Sequence, residues 1–184
     1  MKTKFLLMVS ILLSISSSAA APARADRKQP VPEAQLDEQT KLTLAQALVG
    51  EADWNAPDHV AISWVLAKRW QWIEEKAPGK MTFEEYVRAY AAPLKTKSAR
   101  TKWVQALPWG ELPADGKLAP FTKHWDRVRA LVEQWADGQI PDPCPRAEHW
   151  GGTMDSPGRA MKPVNCGKTL NIFYTVSGKG RSKS

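Results

Sequence analysis

The sequence predicts a mainly α chain of α+β type, in which helices build the core and a small β-hairpin closes the C-terminus. Three observations carry this expectation. Apolar residues recur at helical spacing in two arms between Leu42 and Trp70. The same period returns between Phe121 and Ala136. From Leu170 to Val176 it gives way to alternation.

The first arm places Leu44, Leu48 and Ala52 four residues apart, with Ala45 and Val49 beside them, so one face is apolar. Asn55-Ala56-Pro57 breaks the pattern; Asn55 suits a cap and Pro57 the first turn of a new helix. The second arm, Val60 to Ala67, is apolar nearly all round, as in a core helix. Ala77-Pro78-Gly79-Lys80 reads as a turn. Thr82 and Glu85 form a capping box that starts a helix through about Ala92, stopped by Pro93. Phe83, Tyr86, Val87 and Tyr90 share one face of it. Lys95 to Leu107 reads as a basic helix around Trp103, Val104 and Leu107, a solvated face or a rim that meets anionic polymers. Pro108 to Pro120 is a loop. Phe121 to Ala136 follows as an amphipathic helix with Trp125, Val128, Val132 and Trp135 on one side, closed by Asp137-Gly138. Pro141, Pro143 and Pro145 exclude a further helix. Ala147 to Trp150 suits a short strand, Gly151 to Pro163 a loop, and Leu170 to Val176 a strand.

Residues 1–25 have the order of a signal peptide: basic Met1-Lys2-Thr3-Lys4, apolar Phe5 to Ile15, then small residues with Ala23-Arg24-Ala25 as an Ala-x-Ala site. Residues 26–40 read as an extended leader, 41–176 as one domain and 177–184 as a basic disordered tail. The expected product is exported to the periplasm or beyond, a monomer without stable membrane insertion once the signal is cut. The formal charge of +7 includes three cations in the signal and no acid. The remaining mild, scattered basicity argues against nucleic acid and suits an anionic cell wall. Nine Trp against three Tyr suit either a core or stacking on sugar faces.

Cys144 and Cys166 are the only two cysteines, and in an exported chain they most simply form one disulfide. No metal site or cofactor is expected: the three His, at 59, 124 and 149, show no HExxH or HxH pairing. No Ser occupies a GxSxG elbow.

Glu51 breaks a local rule. It lies near the C-terminal end of an apolar helix, facing the negative end of the dipole, with Asp53 nearby and Trp54 and Trp64 available as apolar walls. All three raise a carboxyl pKa, as a general acid near neutral pH requires. The alternative is a surface Glu paired with Lys41 or Arg69.

The stretch LAQALVGEADWNAPDHVAISWVLAKRW is similar to the opening motif of the cell wall hydrolase family of the SleB type, the spore cortex-lytic enzymes. Gly50-Glu51-Ala52 matches its Gly-Glu-Ala triplet, Val60-Ala61-Ile62 its second helix and Arg69 that helix's basic end. Tyr86 to Pro93 resembles its Tyr-containing segment, and Phe173-Tyr174 its C-terminal aromatic pair. Together these cover about half of the chain after the signal. Asp53-Trp54-Asn55 replaces the family's Arg-Gly-Glu, and Lys68 its Asn; the acid of the triplet is retained.

The resemblance implies a lysozyme-like helical domain acting on peptidoglycan glycan strands as a lytic transglycosylase, with Glu51 as the catalytic acid. One carboxylate then suffices. Asp53 and Asp58 keep a two-carboxylate hydrolytic version open, and a non-catalytic wall-binding or inhibitor domain is the reading from another class. Substrate contacts are expected from Tyr90 (core packing being its alternative), His149, Trp150, Asn171 and Tyr174. Of Phe173 and Tyr174 only one can face the acid. The expectation is Tyr174, the alternative being that it continues a core face with Leu170, Ile172 and Val176.

Overall fold

The computed structural model describes residues 36–95, 99–152 and 160–176. The signal sequence, most of the leader and the tail lie outside them. The described chain is mainly helical, with one small antiparallel sheet at its C-terminal end.

Helix α1, Glu38–Ala52, is the hub. Leu44, Ala45, Ala47, Leu48 and Val49 are buried along it, and α2 to α6 all pack against it or its neighbours. It starts inside the stretch read as extended leader. The reason is a cap: Thr40 N donates to the Asp37 carboxylate at 2.7 Å. Helix α2, Ala56–Lys76, buries Ala61 to Ala67 without a break, and its Trp64 meets Trp135 edge-on at 5.8 Å. Asn55 occupies the cap position but makes no side-chain cap; its amide goes to the Asp58 carboxylate instead.

Helix α3, Phe83–Tyr90, opens on the expected capping box of Thr82 and Glu85. Pro93 does more than stop it. It falls in the first turn of a new short helix, α4, Ala92–Lys95, where its missing N–H costs nothing. Helix α5, Ala99–Gln105, is shorter than the basic helix expected; Gln46 of α1 donates to the Gln105 and Leu107 carbonyls at its end. A 3-10 turn, Ala119–Phe121, leads into α6, Thr122–Ala136. Its Trp125, Val128, Val132 and Trp135 are buried as the spacing requires.

The C-terminal element has three strands rather than two. Strands β1, His149–Gly151, β2, Met161–Val164, and β3, Ile172–Val176, pair antiparallel in the order β1-β3-β2. β2 falls partly in the expected loop; it tolerates Pro163 because it is an edge strand. The expected core face of β3 is only partly observed: Tyr174 is buried, but so is Phe173 on the opposite face. Phe173 joins the core, whereas Leu170 is 73% exposed. The phase is set from outside the strand: the buried Asp58 accepts Leu170 N at 2.9 Å and Asn171 N at 3.0 Å.

Cys144 and Cys166 are disulfide-bonded, with Cα atoms 5.0 Å apart. Lys68 ties this corner to α2 by donating to Asp142 and to the Cys144 carbonyl, both at 2.9 Å. Among the described residues no helix is long and apolar enough to cross a membrane.

Candidate active site

Glu51 lies in the last turn of α1 and is held from two sides. Its Oε1 accepts the backbone N–H of Ala92 at 3.0 Å, and its Oε2 the indole N–H of Trp150 at 3.3 Å. One donor starts α4; the other stands on β1, 99 residues away in sequence. The carboxylate therefore bridges helical body and sheet.

Gly50 makes the first contact possible. A Cβ at this position would lie 2.2 Å from Pro93 Cβ, so only glycine lets the start of α4 come this close to α1. The Gly-Glu pair thus has a physical reading: glycine admits the Ala92-Pro93 turn, and that turn's free N–H reaches the glutamate beside it.

Beyond Ala52 the backbone turns sharply. Asp53 adopts φ 48°, a left-handed value rare for a residue with a side chain. Its carbonyl lies 2.9 Å from His59 Nε2, and a carbonyl can only accept, so Nε2 carries the proton. Burial holds the His59 pKa below its ordinary value, against the pull of that bond and of the Asp58 and Asp53 charges. A neutral imidazole therefore pins the strained turn that follows Glu51.

The apolar walls are not the ones expected. Trp64 is completely buried in the core against Trp135. Trp54 joins another group, stacked on Phe121 at 5.6 Å, tilted against His124 at 5.3 Å, with Trp103 edge-on at 5.8 Å. Trp150 supplies the indole at Glu51, and it brings its N–H.

The remaining expected site residues divide between the faces of the sheet. Trp150 pairs with Phe173, and His149 with Tyr174. Cross-strand partners share a face, so the face that meets Glu51 is that of Trp150 and Phe173. Tyr174, expected to bond the acid, is buried on the opposite face with His149. Asn171 is placed by its backbone bond to Asp58. Burial first, and the Arg69 charge second, lower the His149 pKa.

Tyr90 is not a core residue. It is 44% exposed, and its ring stacks on Tyr86 at 4.5 Å between centroids. Tyr86 itself is fully buried, with the Arg69 side chain beside its hydroxyl. Burial pushes that phenol up to about 12, against the opposing Arg69 charge. Sequence reasoning missed the Ala92 N–H and the role of Tyr86. The adjacency of Ala92 and Pro93 in a segment resembling the family was the available signal for the first.

Asp58 is fully buried, and its oxygens are occupied by Asn55 and by two backbone N–H groups. It is a clamp. A cavity of about 400 Å³ is lined by Leu36, Asp37, Thr40, Trp70 and Met81. That is the other end of α1, about 20 Å from Glu51 along the axis. Its acids are already engaged: Asp37 caps α1, Glu74 accepts Gly79 N at 2.7 Å, and Glu84 accepts from Arg88.

No family model, curated protein or solved structure matches this chain. The likeness to cell wall hydrolases rests on the residues quoted above.

Proposed function

We propose that the protein is exported and cleaves peptidoglycan glycan strands between N-acetylmuramic acid and N-acetylglucosamine, as a lysozyme-like lytic transglycosylase. The observation that carries this reading is the setting of Glu51: a carboxylate at a helix end, each oxygen fixed by a donor from a different element.

In the proposed reaction Glu51 gives its proton to the glycosidic oxygen as the C1–O bond breaks. The resulting carboxylate takes the proton of the C6 hydroxyl while that oxygen bonds to C1. The product is a 1,6-anhydro sugar, and Glu51 ends protonated as it began. This chemistry needs one carboxylate. It suits a site in which Asp58 is consumed as a clamp and Asp53 ends the helix in a strained turn. The disulfide supports an oxidising compartment as the place of action.

Mass spectrometry of purified peptidoglycan after incubation with the protein tests the reading, with Glu51→Gln as control. Anhydro-muropeptides from the parent and a loss of at least about 10²-fold in the variant are expected. Reducing ends would make it a hydrolase, and unchanged strands with retained binding a wall-binding module.

A further inference from the structure

Four cations are matched by acids, two between elements and two along one helix: Lys41 by Glu133, Lys68 by Asp142, Arg88 by Glu84 and Arg129 by Asp126. Arg69 and Lys95 are treated differently. They come from α2 and α4 and converge on one ring, with Arg69 Cζ 5.7 Å and Lys95 Nζ 5.4 Å from the Tyr90 centroid. Among the described residues neither forms an ion pair. Two like charges gathered round a half-exposed ring repel one another, and an aromatic face offsets this only in part. A bound anion would resolve the arrangement.

The place is informative. Tyr90 precedes by two residues Ala92, the donor to Glu51, so its Cα lies within about 7 Å of the Cα of the acid's anchor. Tyr86 holds it from below by stacking at 4.5 Å. The guanidinium of Arg69 is a planar fork that fits a carboxylate, Lys95 adds a mobile point charge, and the open part of Tyr90 offers a flat apolar surface beside them.

We infer that Arg69, Lys95 and Tyr90 form an anion subsite adjoining Glu51, and that its ligand is the carboxylate of a peptide arm carried by the glycan strand. The inference rests on the proposed glycan substrate and names its class: strands that bear acidic peptides rather than bare, neutral glycan.

Binding of the Glu51→Gln protein tests it apart from turnover. Three strand preparations are compared by calorimetry, all first treated with hydrofluoric acid to remove phosphate polymers. One keeps its peptide arms, one has lost them to an amidase, and one has its carboxylates converted to neutral amides. The expected result is binding at least about tenfold tighter to the first than to the other two. That ratio should fall towards one when Arg69→Gln or Lys95→Gln is added. The exposed Lys95 serves as the second variant if Arg69→Gln melts early. Equal binding to all three preparations, binding to none, or an undiminished ratio in both variants overturns the subsite. Parental turnover of all three strands alike, without discrimination, would remove the subsite and leave the proposed function standing. Carboxylate-dependent binding that needs Arg69, with no strand ever cleaved, would do the reverse.

Discussion

The helical body and the C-terminal sheet are held together by different physics, and Glu51 lies on the line between them. Around α1 and α2 the contacts are apolar and continuous: Leu44, Leu48, Ile62, Trp64 and Leu66 are completely buried, as are Trp125 and Trp135 of α6. Strands of three, four and five residues cannot build such a core. The sheet contributes Phe173 to the helical core, packs Trp150 and Val164 against it, and is further tied down by specific bonds. These are the disulfide, the Lys68 tie to Asp142 and Cys144, the Asp58 clamp, and Glu148, which accepts Val176 N at 2.7 Å. The acid belongs to the part that continuous apolar packing maintains. Its indole donor belongs to the part that needs ties. Damage to the ties should therefore open the site while the helices persist.

The largest effect is expected in the body. Trp64→Ala should cost about 3–5 kcal/mol, because the void lies among completely buried side chains. Chemical denaturation should show helix and sheet lost in one transition. Helices that survive the loss of the sheet in this variant would contradict the assignment of Trp64 to the common core.

Breaking the ties should separate the two regions. Cys144→Ser removes a crosslink across 22 positions, worth about 3 kcal/mol by loop entropy. Asp58→Ala leaves two N–H groups without their acceptor, at about 1–3 kcal/mol. In both variants hydrogen exchange should rise in β1 to β3 while the amides of α1 and α2 stay protected. Uniform acceleration across the chain would mean that sheet and helices form one cooperative unit.

The same contrast explains what the sequence made legible. Helix α1, the apolar run of α2, the capping box at Thr82 and the face of α6 are properties of single elements, written in local period and composition. The disulfide followed from a count of two. The phase of β3 was not legible, because Asp58 imposes it from 112 residues away. Nor was the identity of the indole at Glu51. Nine Trp look alike in sequence, and Trp54 and Trp64, near the acid along the chain, pack elsewhere. Gly50 was legible as part of a motif but not as the gap that Pro93 fills. A donor that comes from another element leaves no mark on the period of its own.

A smaller effect should appear as pH falls. Burial keeps the His59 pKa below its ordinary 6.5, so between that depressed value and 6.5 the unfolded chain binds a proton that the folded chain refuses. Stability is then complete above 6.5 and declines as pH drops below it. His149, whose pKa is lowered by burial and by Arg69, acts in the same direction. The denaturation midpoint should fall from about pH 7 to about pH 5. His59→Gln should flatten part of that slope and unsettle the Asp53 turn. An unchanged slope would assign the effect to His149, on the sheet side of the comparison.

The smallest change tests the seam itself. Trp150→Phe keeps an aromatic ring against Phe173 and the core but deletes the N–H that reaches Glu51 Oε2 at 3.3 Å. A neutral hydrogen bond of this kind is worth about 0.5–1.5 kcal/mol, so turnover should fall roughly 2- to 12-fold at nearly constant melting temperature. The Ala92 N–H, which belongs to the helical body, would still hold Oε1. If the sheet acts only as a wall, the phenylalanine should match the parent and only Trp150→Ala should be impaired. If the sheet sets the acid through the indole, the phenylalanine should already show most of the loss, and it should do so with β1 to β3 as protected from exchange as before. That last condition separates a missing bond from a loosened sheet, since Cys144→Ser and Asp58→Ala lose protection and Trp150→Phe should not.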